Sequence, residues 1–268
     1  MNILGAFSER GDGMDNEDIY GYRDNVFWVI DGATDLFHLN LFDCDDDVAY
    51  YVRCLSKAIF NNISAIESLK SIVIKAINDA NNICNINVSE TEAYKFPSFA
   101  IVVARINESK LEYFVLGDCT LLLNTNNGIV EITDKRLLEF SKRNRAGIER
   151  LLSSDAFDHV TEIEIYRETR FLMNKKNGYW IGSVDLCGID HAIEGVLKID
   201  EDTKIIGCTD GFMEAFNLFE IANIDKNIFD AFALEKISKE LRKRQNEDQE
   251  RNKARVRTKD DLTYILVG

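Results

Sequence analysis

The sequence predicts an α+β fold in which antiparallel strands are flanked by helices. Three observations predict it. Two segments of helical period lie near the front, strands follow one another after Pro97 with no helix between them, and the chain closes in the order buried strand, helix, strand. Consecutive strands joined by short polar breaks pair antiparallel, unlike those of a doubly wound parallel sheet.

In chain order, "NEDIYGYRDNVFWVIDGATD", Asn16 to Asp35, sets two sheet-forming stretches around the polar "RDN". A three-residue loop centred on Asp24 predicts a hairpin with Glu17 across from Asp31. In "DDDVAYYVRCLSKAIF", Val48, Tyr51, Val52, Leu55 and Ile59 share one helical face behind an acidic first turn that suits the helix dipole. The next helix is expected to start at "SAIE", where Ser64 and Glu67 have capping-box spacing, and to bury Ile66, Leu69, Val73, Ala76, Ile77 and Ala80. "SFAIVVARI", "KLEYFVLG" and "CTLLLN" read as strands, and "NTNNGIVEIT" carries the hairpin signal Asn127-Gly128. A helix is expected from about Thr133 through "LLEFSKRNRAGIERLL", whereas 153–195 shows no clear period. "TKIIGCTDG" is a buried strand ending in an acid. "NIFDAFALEKISKELRKRQ" is a helix with Phe229, Phe232, Ile237 and Leu241 inward, a charge-dense loop follows, and "LTYILV" is the last strand. With no internal repeat or linker, residues 1–268 read as one domain.

A chain of 268 residues, 46% of them hydrophobic, can bury a sizeable core. Its net charge of −14 disfavours a nucleic-acid partner, and any phosphate-handling role needs local cations to offset the repulsion. The six cysteines lack pairing or metal-type spacing and read as reduced thiols rather than disulfides or a zinc site. "MNILGAFSERGD" is not a secretory signal and "FAIVVA" is too short to cross a bilayer, so a cytoplasmic protein with no membrane association is the expectation. The sequence sets no oligomeric state.

Acids recur at strand ends. Glu17, Asp18 and Asp31 bracket the first hairpin, Asp118 follows "LEYFVLG", Asp210 follows "IIGCT", and Asp260 and Asp261 precede "LTYILV". A sheet rim can gather such residues, and carboxylates with a backbone carbonyl suit hard divalent cations. Glycines after Asp31 and Asp210 permit close backbone approach. The same Asp-Gly pairs are also ordinary turn chemistry, and both readings stand at this level.

Taken together, "NED…VIDG…SFAIVVARI…VLGDCT…CTDGF…DDLTYILV" resembles, in order and over nearly the whole chain, the segments of the metal-dependent protein phosphatases, the PPM or type 2C serine/threonine phosphatases. The resemblance implies a four-layer α-β-β-α sandwich, two antiparallel sheets face to face with helices on both outer faces. It implies a Mg²⁺- or Mn²⁺-dependent enzyme of bacterial type that hydrolyses phosphoserine and phosphothreonine in proteins through a metal-bridged hydroxide. Asp31 would bridge two ions, Asp210 and Asp260 would complete the first, and Glu17 with the Gly32 carbonyl would hold the second. Asp18 would orient metal-bound water, Asp118 would help hold a third, weaker ion, and Asp261 would support its neighbour.

Several positions depart from the family pattern. Gly13 stands where the family usually has a phosphate-gripping arginine, which leaves Arg10 as the substitute or as a plain surface residue. Ala33 replaces the histidine of many eukaryotic members, with His38 nearby. Lys142, Arg143 and Arg145, in a poorly matching region, either attract acidic substrates or form a solvated helix face. These departures keep a second function open: a catalytically weak member that acts as a regulatory phosphoprotein-binding module. A hydrolase of small phosphate esters is a third.

Overall fold

The computed structural model describes residues 1–87, 90–152, 159–248 and 258–268. The chain begins with β1 (Ile3–Glu9), the hairpin β2 (Asp18–Arg23) and β3 (Val26–Gly32), and the helices α1 (Asp47–Asn62) and α2 (Leu69–Ile83). Four strands follow, β4 (Ser98–Asn107), β5 (Lys110–Leu116), β6 (Thr120–Thr125) and β7 (Gly128–Ile132), and then α3 (Arg136–Leu152) and α4 (His159–Arg170). The remainder is β8 (Gly182–Ser183), β9 (Ile193–Lys198), β10 (Lys204–Cys208), α5 (Asp210–Asn217), α6 (Ala231–Glu247) and β11 (Leu262–Val267). One sheet has the order β1-β11-β10-β6-β7. The other has β2-β3-β4-β5-β9, with β8 on β4, and every strand pair in both is antiparallel.

Alternation along the strands produces the layers. Phe27 and Val29 of β3 point between the sheets to join Leu121, Leu123, Ile205 and Ile265. Val26, Trp28 and Ile30 point the other way, onto α1 and α2. On the second sheet Leu122, Ile206, Tyr264 and Leu266 pack against α5 and α6. The result is the expected α-β-β-α sandwich. Between β5 and β6 the chain crosses from one sheet to the other within three residues. Gly117 makes the corner at φ +80, and a side chain there would strike Ala100 Cβ at 2.6 Å.

Several boundaries differ from expectation. The first hairpin turns on two residues, because Asp24 adopts a left-handed φ of 56; Asp18, not Glu17, therefore lies opposite Asp31. Helix α2 is capped by Ser68, whose hydroxyl accepts from Ser71 N–H, and Ile66 before it is 94% exposed. Asp230 caps α6 by accepting from Ala233 N–H; this sets Leu234, Ile237 and Leu241 inward and leaves Phe232 75% exposed. Strands β1 and β9 and helix α5 had no distinct sequence signal. Residues 249–257, most of the charge-dense loop, lie outside the described residues. Among the described residues no helix is long and apolar enough to cross a membrane.

Candidate metal centre

Acids from five strand ends converge at one rim of the sandwich. Asp31 is the penultimate residue of β3, and Asp18 opens β2 directly across from it. Asp118 sits in the crossing between the sheets, Asp210 begins α5 as β10 ends, and Asp260 precedes β11. Asp31, Gly32, Asp118, Asp210 and Asp260 line a cavity of about 230 Å³. Its opposite wall comes from α3, α4 and the segment after them, with Asn144, Tyr166, Arg170 and Tyr179.

Behind this floor the hydrogen bonds are specific. Asp210 N–H donates to Asp31 Oδ2 at 3.4 Å, and Thr209 Oγ1 donates to Asp18 Oδ2 at 2.7 Å. Asp261 accepts from Gly11 N–H and Glu17 N–H, both at 2.7 Å, so its carboxylate ties the loop before β2 to the start of β11. Asp260 Oδ1 accepts from Asp261 N–H at 3.0 Å. Gly32 N–H donates to Glu17 O at 3.0 Å. A Cβ on Gly32 would lie 2.6 Å from Val48 Cγ1 and 2.7 Å from Glu17 O, so only glycine lets the two backbones approach this closely.

Burial, and then the neighbouring charges of Asp18 and Asp210, pushes the Asp31 carboxyl well above the usual carboxylate range. Asp18 moves the same way through burial and Asp261, against the pull of the Thr209 hydroxyl. Burial raises Asp118 to about 6. Asp210 reaches about 7 through lost hydration and the charge of Asp118, although one edge of the residue remains open to solvent. Burial and Asp31 also push the Cys119 thiol up, which removes it as a thiolate nucleophile.

The donor set is oxygen throughout, and its carboxylates crowd one another. These residues fit hard divalent ions, which would relieve the repulsion that raises the four acids. Among the described residues, no three Asp, Glu, His or Cys side chains are already drawn close enough to enclose an ion.

The predicted residues divide into three groups. Asp31, Gly32, Asp118, Asp210 and Asp260 share the cavity; Glu17 and Asp18 are buried behind it. Arg10 is not brought to it: its guanidinium is exposed and donates to Met14 O at 2.8 Å. His38 is exposed beside Asp35, Lys142 pairs with Glu139, and Arg143 lies over the Phe140 ring. The Arg145 side chain lies outside the described residues. Sequence reasoning missed Arg170 on the cavity wall and Thr209 beneath Asp18. Thr209 had a signal in "CTDG"; Arg170, in "YRETRF", had none.

No protein-family model matches the chain, and no curated protein matches its sequence. Solved structures do match its fold. The serine/threonine phosphatase PstP/Ppp of Mycobacterium tuberculosis superposes with a TM-score of 0.54 at 13% identity, over 98% of this chain and 96% of that one. The PPM Ser-Thr phosphatase MsPP of Mycobacterium smegmatis, in complex with cacodylate, gives 0.55 at 12% identity, over 99% and 98%. The catalytic domain of PstP in complex with two manganese ions gives 0.50 at 12% identity, over 98% and 95%. Over the described residues, then, this chain has the fold of the PPM-type serine/threonine phosphatases.

Proposed function

We propose that this protein is a divalent-cation-dependent phosphatase that removes phosphate from phosphoserine and phosphothreonine in proteins. One observation carries the reading: Asp31, Asp118, Asp210 and Asp260, from four separate chain segments, line a single cavity of a fold shared with serine/threonine phosphatases. We assign Asp31, Asp210 and Asp260 to one Mg²⁺ or Mn²⁺ ion, and Asp31, Glu17 and the Gly32 carbonyl to a second. Asp118 serves a weaker third. The two ions of a PstP neighbour support manganese as one choice. Bound cations of this kind supply an activated water near neutral pH and neutralise the oxygens of a phosphoryl group.

The chain's own residues prepare that chemistry. Asp261 fixes the backbone of Glu17, and the Gly32 N–H to Glu17 O bond holds both residues against the rim. Thr209 anchors Asp18, to which we assign the orientation of water facing Asp31. The walls limit solvent around the phosphoryl group. In an acidic chain the cations also make phosphate binding favourable. We place the protein in the cytoplasm as one domain, residues 1–268.

A second reading, a weak member that binds phosphoproteins without turning them over, is favoured by one observation: Gly13 stands at the family's arginine position and Arg10 points elsewhere. Hydrolysis of an aryl phosphate and of a phosphothreonine peptide, with Mn²⁺ and with chelator, separates the two. Cation-dependent turnover is expected. Equal rates in chelator contradict the cation mechanism, and Mn²⁺ binding without turnover favours the binding module.

A further inference from the structure

Two arginines of the described residues are buried, Arg105 at 4% exposure and Arg170 at 7%. They are held differently. Arg105 NH1 forms an ion pair with Glu112 at 3.1 Å and donates to Glu67 O, while NH2 donates to Ser64 O. Its charge is matched and its position is structural. Arg170 NH1 donates to Ser98 Oγ and NH2 to Thr34 O, both at 3.0 Å, and Tyr179 lines the same cavity. These partners fix the plane of the guanidinium but are neutral. Among the described residues, no Asp or Glu forms an ion pair with it. Desolvating a guanidinium without an ion-pair partner is costly, and Arg170 nevertheless faces a cavity that Asp31, Asp210 and Asp260 line across from it.

Resting on the phosphatase reading above, we propose that Arg170 binds the phosphoryl group of the substrate, in place of the arginine that Gly13 replaces. A phosphate monoester dianion held between cations on the acid floor and the Arg170 fork is bound by opposite charge on both sides. A planar guanidinium presents N–H donors in a fixed fork that matches two phosphoryl oxygens, a geometry the rotatable ammonium of lysine lacks. The hydrogen-bond partners of Arg170 are neutral. Asp35 and Asp47, which share a small adjoining pocket with it, accept from backbone N–H groups of Phe37, His38, Leu41 and Phe42 instead of pairing with the guanidinium. Arg10 has the charge but lies outside the cavity, with its guanidinium on the Met14 carbonyl.

The experiment has two arms. In the first, Arg170→Gln and Arg170→Lys are assayed with an aryl phosphate and Mn²⁺, alongside Mn²⁺ affinity by calorimetry and inhibition by inorganic phosphate. Arg170→Gln is expected to raise KM and the phosphate inhibition constant by about tenfold or more, the loss of a bidentate charged contact, at unchanged Mn²⁺ affinity. Arg170→Lys should recover part of that loss. A KM and inhibition constant within about twofold of wild type, with only stability or kcat reduced, overturn the proposal in favour of a clamp on α4. In the second arm, which needs no variant to fold, inorganic phosphate is titrated into the wild-type protein with Mg²⁺, and the arginine side-chain Nε–H resonances are followed. One strongly shifted buried arginine signal supports the proposal, and no shift at saturating phosphate overturns it. If no cation supports hydrolysis while that signal still moves, the phosphatase reading fails and phosphate binding at Arg170 stands. Turnover that ignores Arg170 means the reverse.

Discussion

The two ends of the sandwich treat charge in opposite ways. At the far end, Arg105 of β4 lies directly across from Glu112 of β5, and the cross-strand pair is an ion pair at 3.1 Å. Arg23, also at that end, donates to Phe60 O and stacks on the Phe60 ring. At the rim of the same sheet the register sets Asp18 directly across from Asp31, like charge against like. Opposite charges across a strand pair stabilise a sheet and like charges weaken it. The far end is therefore built for stability, whereas the rim sets like charges together, a repulsion that a bound cation would offset. That contrast is why the rim reads as a functional site.

The largest expected effect comes from neutralising the rim. Asp31→Asn should lower Mn²⁺-dependent hydrolysis by ~10²-fold or more, beyond what loss of an outer-shell partner costs. In the cation-free protein it should raise the melting temperature, because it removes one of the crowded charges. A lower melting temperature without cation would show that the acids are not in net repulsion. At the far end the sign reverses. Arg105→Met leaves Glu112 unpaired and breaks two bonds to carbonyls, and should cost about 3 kcal/mol in urea unfolding with hydrolysis by the folded fraction unchanged. Gly32→Ala belongs to the rim by position but acts sterically. Its Cβ meets Val48 and Glu17, and stability should fall by about 1–3 kcal/mol with weaker Mn²⁺ binding.

Acidity sharpens the contrast further. Folding raises Asp118 to about 6 and Asp210 to about 7, from unfolded values of about 3.9. Between about pH 4 and 7 the folded, cation-free protein therefore holds more protons than the unfolded chain, and its stability falls as pH rises through that window. Urea midpoints should be higher at pH 5 than at pH 8 without cation. Mn²⁺ should flatten or invert the trend, because the cation competes with those protons. The smallest effect should come from Arg10→Ala, which lies outside the cavity; a KM change above about twofold would return Arg10 to the site.

Much of this was legible in the sequence, for identifiable reasons. The unbroken apolar run "VFWVI" marked a strand covered on both faces, and the acids stood out because they end apolar runs. What stayed hidden depended on single backbone torsions or distant contacts. The left-handed Asp24 shortened one turn by a residue and exchanged Glu17 for Asp18 opposite Asp31. Ser68 and Asp230, not the nearest capping-box match, chose where α2 and α6 begin. Arg170 was unreadable because its partners, Ser98 and Thr34, lie 72 and 136 residues away. Helix α5 was hidden by its length, eight residues, too short for a period to declare itself.

The corner at Gly117 makes the rim a seam as well as a site. Asp118 hangs from the short bridge joining the sheets, so its distance from Asp31 is set by how far apart the two layers stand. Bulkier side chains at Val29, Ala104 or Leu121, deep between the layers, would prise that spacing open. Their first symptom would be Asp118 drawn away from Asp31, before any cooperative unfolding could be detected.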